Sequence, residues 1–226
     1  MKIKKIVKYN YDLEEDSLEK DIDKFILKSK KGDYSMDKNY ENEGLKIIKQ
    51  YFRILNEKLK NNELEECKQG YHKLIIFCIK ASGGRHDNLF DYNDLLAKIS
   101  NDFDLLVKNY FICLVKTCDI NELADKISEY ASCLDIYGFD SDTEILLNHL
   151  NKEQLRILEE KMLEKTMGMT KKDEDKQDII NFLMKIAEIQ EDKEKYLMLC
   201  ERFRGILKDS EIEYMKKEYD EENILD

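Results

Sequence analysis

The stretch ELEECKQGYHKLIIFCIKA, residues 63–81, decides the fold class. Its side chains Cys67, Tyr71, Leu74 and Cys78 follow one another at steps of four, three and four residues. At about 3.6 residues per turn those steps keep all of them on one stripe of a helix, whereas a half-buried strand would alternate apolar and polar residues. Asn61-Asn62 before the stretch and Ser82-Gly83-Gly84 after it supply breaks that bound a single helix.

The same period recurs on both sides. Between about residues 37 and 60, Tyr40, Ile48, Tyr51, Phe52, Leu55 and Leu59 mark a helix. Further upstream, Asp12 with Glu15 has the spacing of a capping box, ahead of Leu18, Ile22, Phe25 and Ile26, and Gly32 ends that segment. Downstream of the glycine pair, Leu95, Leu96, Ile99, Phe103, Leu106, Val107, Tyr110 and Leu114 predict one long helix to about Lys116, expected to be the central strut.

Asp119 and Glu122 form another capping box for a helix through Leu134, followed by the apolar connection DIYGFD, residues 135–140. Ser141 begins a short helix, and Asn151 caps one that carries Leu155, Leu158 and Met162. Beyond MGMT at 167–170, Ile179, Ile180, Leu183, Ile186 and Ala187 precede a turn at Glu191-Asp192 and a helix with Tyr196, Leu197, Cys200 and Phe203. The acidic end, KKEYDEENILD, is expected to fray.

No proline occurs in 226 residues, where ordinary usage would give roughly 11. Abundant Lys, Asn, Ile and Glu account for part of that deficit, so periodicity carries the assignment. With nothing to break helices and no bounded strand pattern, the chain is expected to be all-α, about nine to ten helices, with helix over about three quarters of its residues. Antiparallel pairs stacked into an irregular helical-repeat, α-solenoid-like array suit the short connections, although no fixed sequence period is visible. Residues 1–166 are read as a helical array with long central helices, and 171–226 as a C-terminal hairpin continuing it with an acidic tail.

Composition narrows the functional classes. The net charge is −11, and the arginines are Arg53, Arg85, Arg156, Arg202 and Arg204. Nucleic acid, whose binding needs clustered cations, is disfavoured as a direct ligand, and a protein with a basic or neutral surface is the expected partner. The Lys2/Lys4/Lys5/Lys8 and Lys28/Lys30/Lys31 clusters read as solvated helix ends. No apolar run has signal-peptide or membrane length, so a cytoplasmic location without membrane contact is expected, and homo-oligomerisation is left open. The six cysteines, Cys67, Cys78, Cys113, Cys118, Cys133 and Cys200, lie in separate apolar stretches and read as reduced core thiols.

Asp33-Tyr34, the segment Leu55-Asn56-Glu57-Lys58-Leu59, the loop after Ala81, and Leu123-Ala124-Asp125-Lys126-Ile127 behind Asp119 occur in an order that resembles the helical region beside SWIM-type zinc fingers in bacterial proteins of unknown function. The resemblance runs from about Leu18 to Lys165 and implies a helical accessory or scaffold module. The finger itself is absent, since no Cys-X-Cys followed by Cys-X-His occurs. The chain also has Ser82-Gly83-Gly84-Arg85-His86-Asp87 where those proteins tend to be rich in Asp and Ser.

Cys67 and Cys78 on one helix stand roughly 16 Å apart, and His72 points about 140° round the axis from Cys67, so they cannot share a zinc ion with bonds of about 2 Å. Only His72, His86 and His149 are available as histidine bases, and neither a nucleophile elbow nor a phosphate loop is present. No metal, cofactor or catalytic residue is therefore assigned, and an enzyme is not expected. The loop bearing Arg85, His86 and Asp87 is the best polar binding candidate, because a helix start beside an arginine suits an anion. Against it stands the plainer role of capping two helices. Tyr137 and Phe139, flanking Gly138, are the best apolar binding candidates, with closure of the core as their plainer role. The expected function is a non-enzymatic protein-interaction or scaffold module. The alternative is an acidic inhibitor, of the kind mobile elements carry, that occludes a nucleic-acid-binding enzyme such as a nuclease.

Overall fold

A computed structural model of the chain describes residues 17–34, 43–82, 95–134, 139–169 and 174–204. Ten helices cover 84% of them and no strand is present among them, so the chain is all-α. It divides into two compact units, Met1–Thr117 and Cys118–Asp226.

The first unit holds α1 (Leu18–Lys30), α2 (Glu43–Lys60), α3 (Leu64–Ser82), α4 (Leu95–Ile99) and α5 (Phe103–Thr117). Its centre is α3, which packs against all the others. The reason lies in the unbroken run Leu74-Ile75-Ile76-Phe77-Cys78-Ile79, every residue of which is buried. A helix that is apolar around most of its circumference has to be surrounded. Gly70 permits the approach of α2: a Cβ there would stand 2.5 Å from Leu55 Cδ2.

The long helix expected through Lys116 is broken. Ser100 Oγ donates to the Asp102 carbonyl at 2.9 Å, and Asp102 Oδ1 accepts the Leu105 N–H at 3.0 Å. Short polar side chains that bond the nearby backbone offer it an alternative to helix. Asp102 thus starts α5 afresh, while Ile99 and Phe103 keep helical spacing across the break.

The second unit holds α6 (Ile120–Ala131), α7 (Asp140–His149), α8 (Lys152–Met167), α9 (Glu174–Ile189) and α10 (Lys193–Arg202). Helix α6 packs on α8 and α9, α8 on α9, and α9 on α10. Leu123, Ile127, Tyr130, Leu158, Met162, Ile180, Leu183 and Ile186 form its interior.

Several predicted boundaries are present in detail. Asp119 accepts the Asn121 and Glu122 N–H groups, and Asn151 forms a reciprocal capping box with Gln154. Helix α1 is capped by Ser17, while Asp12 and Glu15 lie outside the described residues. Three helices end in the same manner: Gly32, Asn62 and Glu191 take φ of 75°, 63° and 55°. The following N–H groups of Asp33, Glu63 and Asp192 return to Lys28, Lys58 and Ala187 carbonyls at 3.1, 3.0 and 3.0 Å. This is the Schellman closure, in which a left-handed residue lets the chain turn back and satisfies a terminal carbonyl.

Candidate functional site

Of the residues singled out in the sequence, Arg85, His86, Asp87 and Tyr137 lie outside the described residues. Phe139 is half-buried at the start of α7. Its N–H donates to Asp142 Oδ2 at 3.2 Å and its carbonyl accepts Lys185 Nζ at 2.6 Å. Asp142, fully buried, also accepts the Tyr130 hydroxyl at 2.9 Å, Lys185 Nζ at 3.1 Å and the Thr143 N–H at 2.5 Å. Burial pushes the Asp142 carboxyl above the ordinary carboxylate range, and Lys185, Tyr130 and the Phe139 N–H oppose that push. The cluster fixes the entry to α7 against α6 and α9.

Histidine chemistry is confined in the described residues. His72 is buried, with Nδ1 2.6 Å from the Tyr110 hydroxyl, and His149 Nδ1 donates to the Ile145 carbonyl at 2.9 Å. Every buried side-chain nitrogen and oxygen among the described residues has a hydrogen-bond partner. No group of three or more His, Cys, Asp or Glu side chains there is placed to hold a metal ion.

All six cysteines are free thiols. Cys67 on α3 and Cys113 on α5 nevertheless come within hydrogen-bond reach, an adjacency that their separation in sequence conceals. Cys67 also donates to the Leu55 carbonyl at 3.4 Å, and burial raises its pKa to about 11. Such a thiol is held protonated and is a poor nucleophile.

A groove of about 540 Å³ lies between α8, α9 and α10. Two rows of α8 form one wall: Lys152, Arg156 and Glu160, then Leu155, Glu159 and Leu163, each at i, i+4, i+8. The opposite wall is the face of α10 bearing Lys195, Met198 and Leu199, with Leu183 of α9 between. Leu155, Leu183 and Leu199 are buried in the floor, while Met198 is 50% exposed.

Charges rim this apolar strip in compensated pairs. Arg156 bonds Glu153 through two nitrogens, at 2.7 and 3.0 Å, and also bonds Glu160. The pairing pushes the Arg156 guanidinium further up and holds Glu153 below the usual carboxylate range. Glu159, nearly buried, is bound by Lys195, which also reaches Gln190 Oε1 at 3.3 Å. The described lining carries carboxylates, ammonium groups, one guanidinium and one amide, and no histidine, cysteine, serine or threonine.

The groove was not among the sites expected from sequence. Leu155 and Leu183 were legible as apolar helix positions, but nothing in a linear reading places α8 opposite α10. A smaller polar cleft of about 360 Å³ lies between α6 and α8, crossed by the Lys165–Asp125 pair at 2.5 Å. Among the described residues no helix is long and apolar enough to cross a membrane.

No known protein family, no curated protein and no solved structure matches the chain.

Proposed function

We propose that the chain is a non-enzymatic protein-interaction module that accepts an amphipathic helix of another protein in the groove between α8, α9 and α10. One observation carries the proposal: Met198, half exposed, stands over a floor of Leu155, Leu183 and Leu199 inside a charged rim. Two helical walls offer the ridges and grooves into which a further helix packs, and methionine adapts to varied apolar partners. The scaffold role implied by the resemblance to SWIM-associated helical regions belongs to the same class.

The net charge of −11 favours one second reading, an acidic inhibitor that covers the cationic channel of a nucleic-acid-binding enzyme. The two predict different partners and different salt responses.

The test is affinity capture from the source cell with wild type, Met198→Asp and Leu27→Asp as baits. Leu27 is 54% exposed on α1 and serves as the control surface. The same partner held by wild type and Leu27→Asp and lost with Met198→Asp is the expected result. Equal retention by all three baits removes the groove from the site.

A further inference from the structure

Two cysteines far apart in sequence meet inside the first unit. Cys67 lies on α3 and Cys113 on α5, and α3 packs more extensively on α5 than on any other helix. Both thiols are fully buried and within hydrogen-bond reach of each other, and both lie near the Tyr71 hydroxyl. That hydroxyl donates to Asn56 Oδ1 at 2.5 Å, which also accepts Asn109 Nδ2 at 3.0 Å. Asn56 and Asn109 are half-buried, so Tyr71 links the two sulfurs to a polar part of the surface.

Such a pair has a chemistry that a single buried thiol lacks. A thiol oxidised to the sulfenic acid condenses with a neighbouring thiol to a disulfide. The bond needs about 2 Å between sulfurs and Cα atoms within about 7 Å, a spacing available where two helices are closely packed. Because the Cys67 S–H is taken by the Leu55 carbonyl at 3.4 Å, its sulfur presents lone pairs to Cys113. Burial keeps Cys67 protonated and slow to react, so the oxidant that suits the site is small and uncharged.

We propose that Cys67 and Cys113 form an oxidisable dithiol, which hydrogen peroxide converts into an internal disulfide joining α3 to α5. One sulfur attacks the O–O bond, keeps one oxygen as the sulfenic acid and releases water. The second sulfur displaces that hydroxyl, its proton leaves with it as another water, and the S–S bond forms. Two thiols thus lose two hydrogens and two electrons while the peroxide is reduced to two waters. The product fixes α3, the centre of the unit, to α5 and closes the chain between residues 67 and 113, which constrains the unfolded state.

The experiment treats the full reduced chain, folded, with hydrogen peroxide, then alkylates it in denaturant without reductant and digests it with trypsin. Cleavage after lysine puts Cys67 in peptide 61–68, Cys113 in 109–116 and Cys78 in 74–80, none of which contains methionine. The expected result is the loss of two of the six thiols, with peptides 61–68 and 109–116 joined by a bond that reductant separates. Cys78, equally buried on α3 and influenced by burial alone, is the internal control and keeps its thiol. A chain unfolded in urea before the peroxide is added is expected to form this link more slowly, because the fold no longer holds the sulfurs together. Recovery of the two peptides unlinked from the folded chain, as thiols or as separately oxidised cysteines, overturns the proposal, as does a link that forms no faster in the folded chain than in the unfolded one.

Discussion

Replacing Gly70 by alanine puts two effects of opposite sign at one position. The residue lies inside α3, where glycine costs the helix about 1 kcal/mol relative to alanine. The added Cβ, however, meets Leu55 Cδ2 at 2.5 Å, Cδ1 at 3.3 Å and Cγ at 3.4 Å. Leu55 is fully buried, so its methyl groups move only by disturbing a packed core. Overpacking of this kind costs about 1–3 kcal/mol. Gly70→Ala is therefore expected to lower stability by about 1 kcal/mol, the repulsion outweighing the propensity gain. Leu55→Ala alone costs about 2–5 kcal/mol. In that background the obstruction is gone, and Gly70→Ala should raise stability by about 1 kcal/mol. The double-mutant cycle, measured by urea denaturation followed by far-ultraviolet circular dichroism, should give a coupling of about 2 kcal/mol and a reversal of sign. A Gly70→Ala change that stabilises both backgrounds equally refutes the close approach of α2 and α3.

Glu191 holds a left-handed backbone with φ of 55°, so Glu191→Gly should raise stability by about 0.5–1 kcal/mol in the same denaturation assay; a loss would mean the turn after α9 has another conformation. Removing the Asp142 carboxylate as Asp142→Leu should cost about 3 kcal/mol or more and Tyr130→Phe only about 1 kcal/mol, since the first strands several buried donors and the second removes one bond; equal costs would contradict the cluster. The Cys67 thiol is raised from 9.0 to about 11, and burial also raises Cys78 and Tyr71. Groups raised in the folded state contribute stability that is complete below their unfolded pKa and fades as pH climbs toward the folded value. Stability should thus hold to about pH 8–9 and then fall by about 1.4 kcal/mol per pH unit for each titrating group, read from denaturation midpoints; a flat profile to about pH 11 would show these groups are not buried as described.

The parts of the fold that were legible are those set by local chemistry. Gly32, Asn61-Asn62 and Glu191-Asp192 end helices because the backbone there needs a left-handed residue, and Asp119 and Asn151 begin helices because their side chains accept orphan N–H groups. The break at Ser100–Asp102 was hidden, since the apolar spacing from Ile99 to Phe103 runs through it and the competing side-chain bonds leave no mark on the period. The identity of the central helix was also misplaced. A stripe describes one buried face, and it was the continuous run Leu74–Ile79 that announced burial on all sides of α3. The groove escaped altogether, because Leu155, Leu183 and Leu199 converge only through the packing of three helices. Phe139 was legible as an apolar residue near a helix start, but the bond its carbonyl accepts from Lys185 comes from 46 residues away.

The groove as the docking surface is tested most directly by the affinity of a captured partner for wild type and Met198→Asp, each at low and high ionic strength. The account predicts a loss of about tenfold or more with Met198→Asp, as burial of a methionine is worth about 1.5–3 kcal/mol, with little response to salt. Full affinity in Met198→Asp, together with binding that collapses as salt rises, would contradict it and transfer the function to the acidic surface.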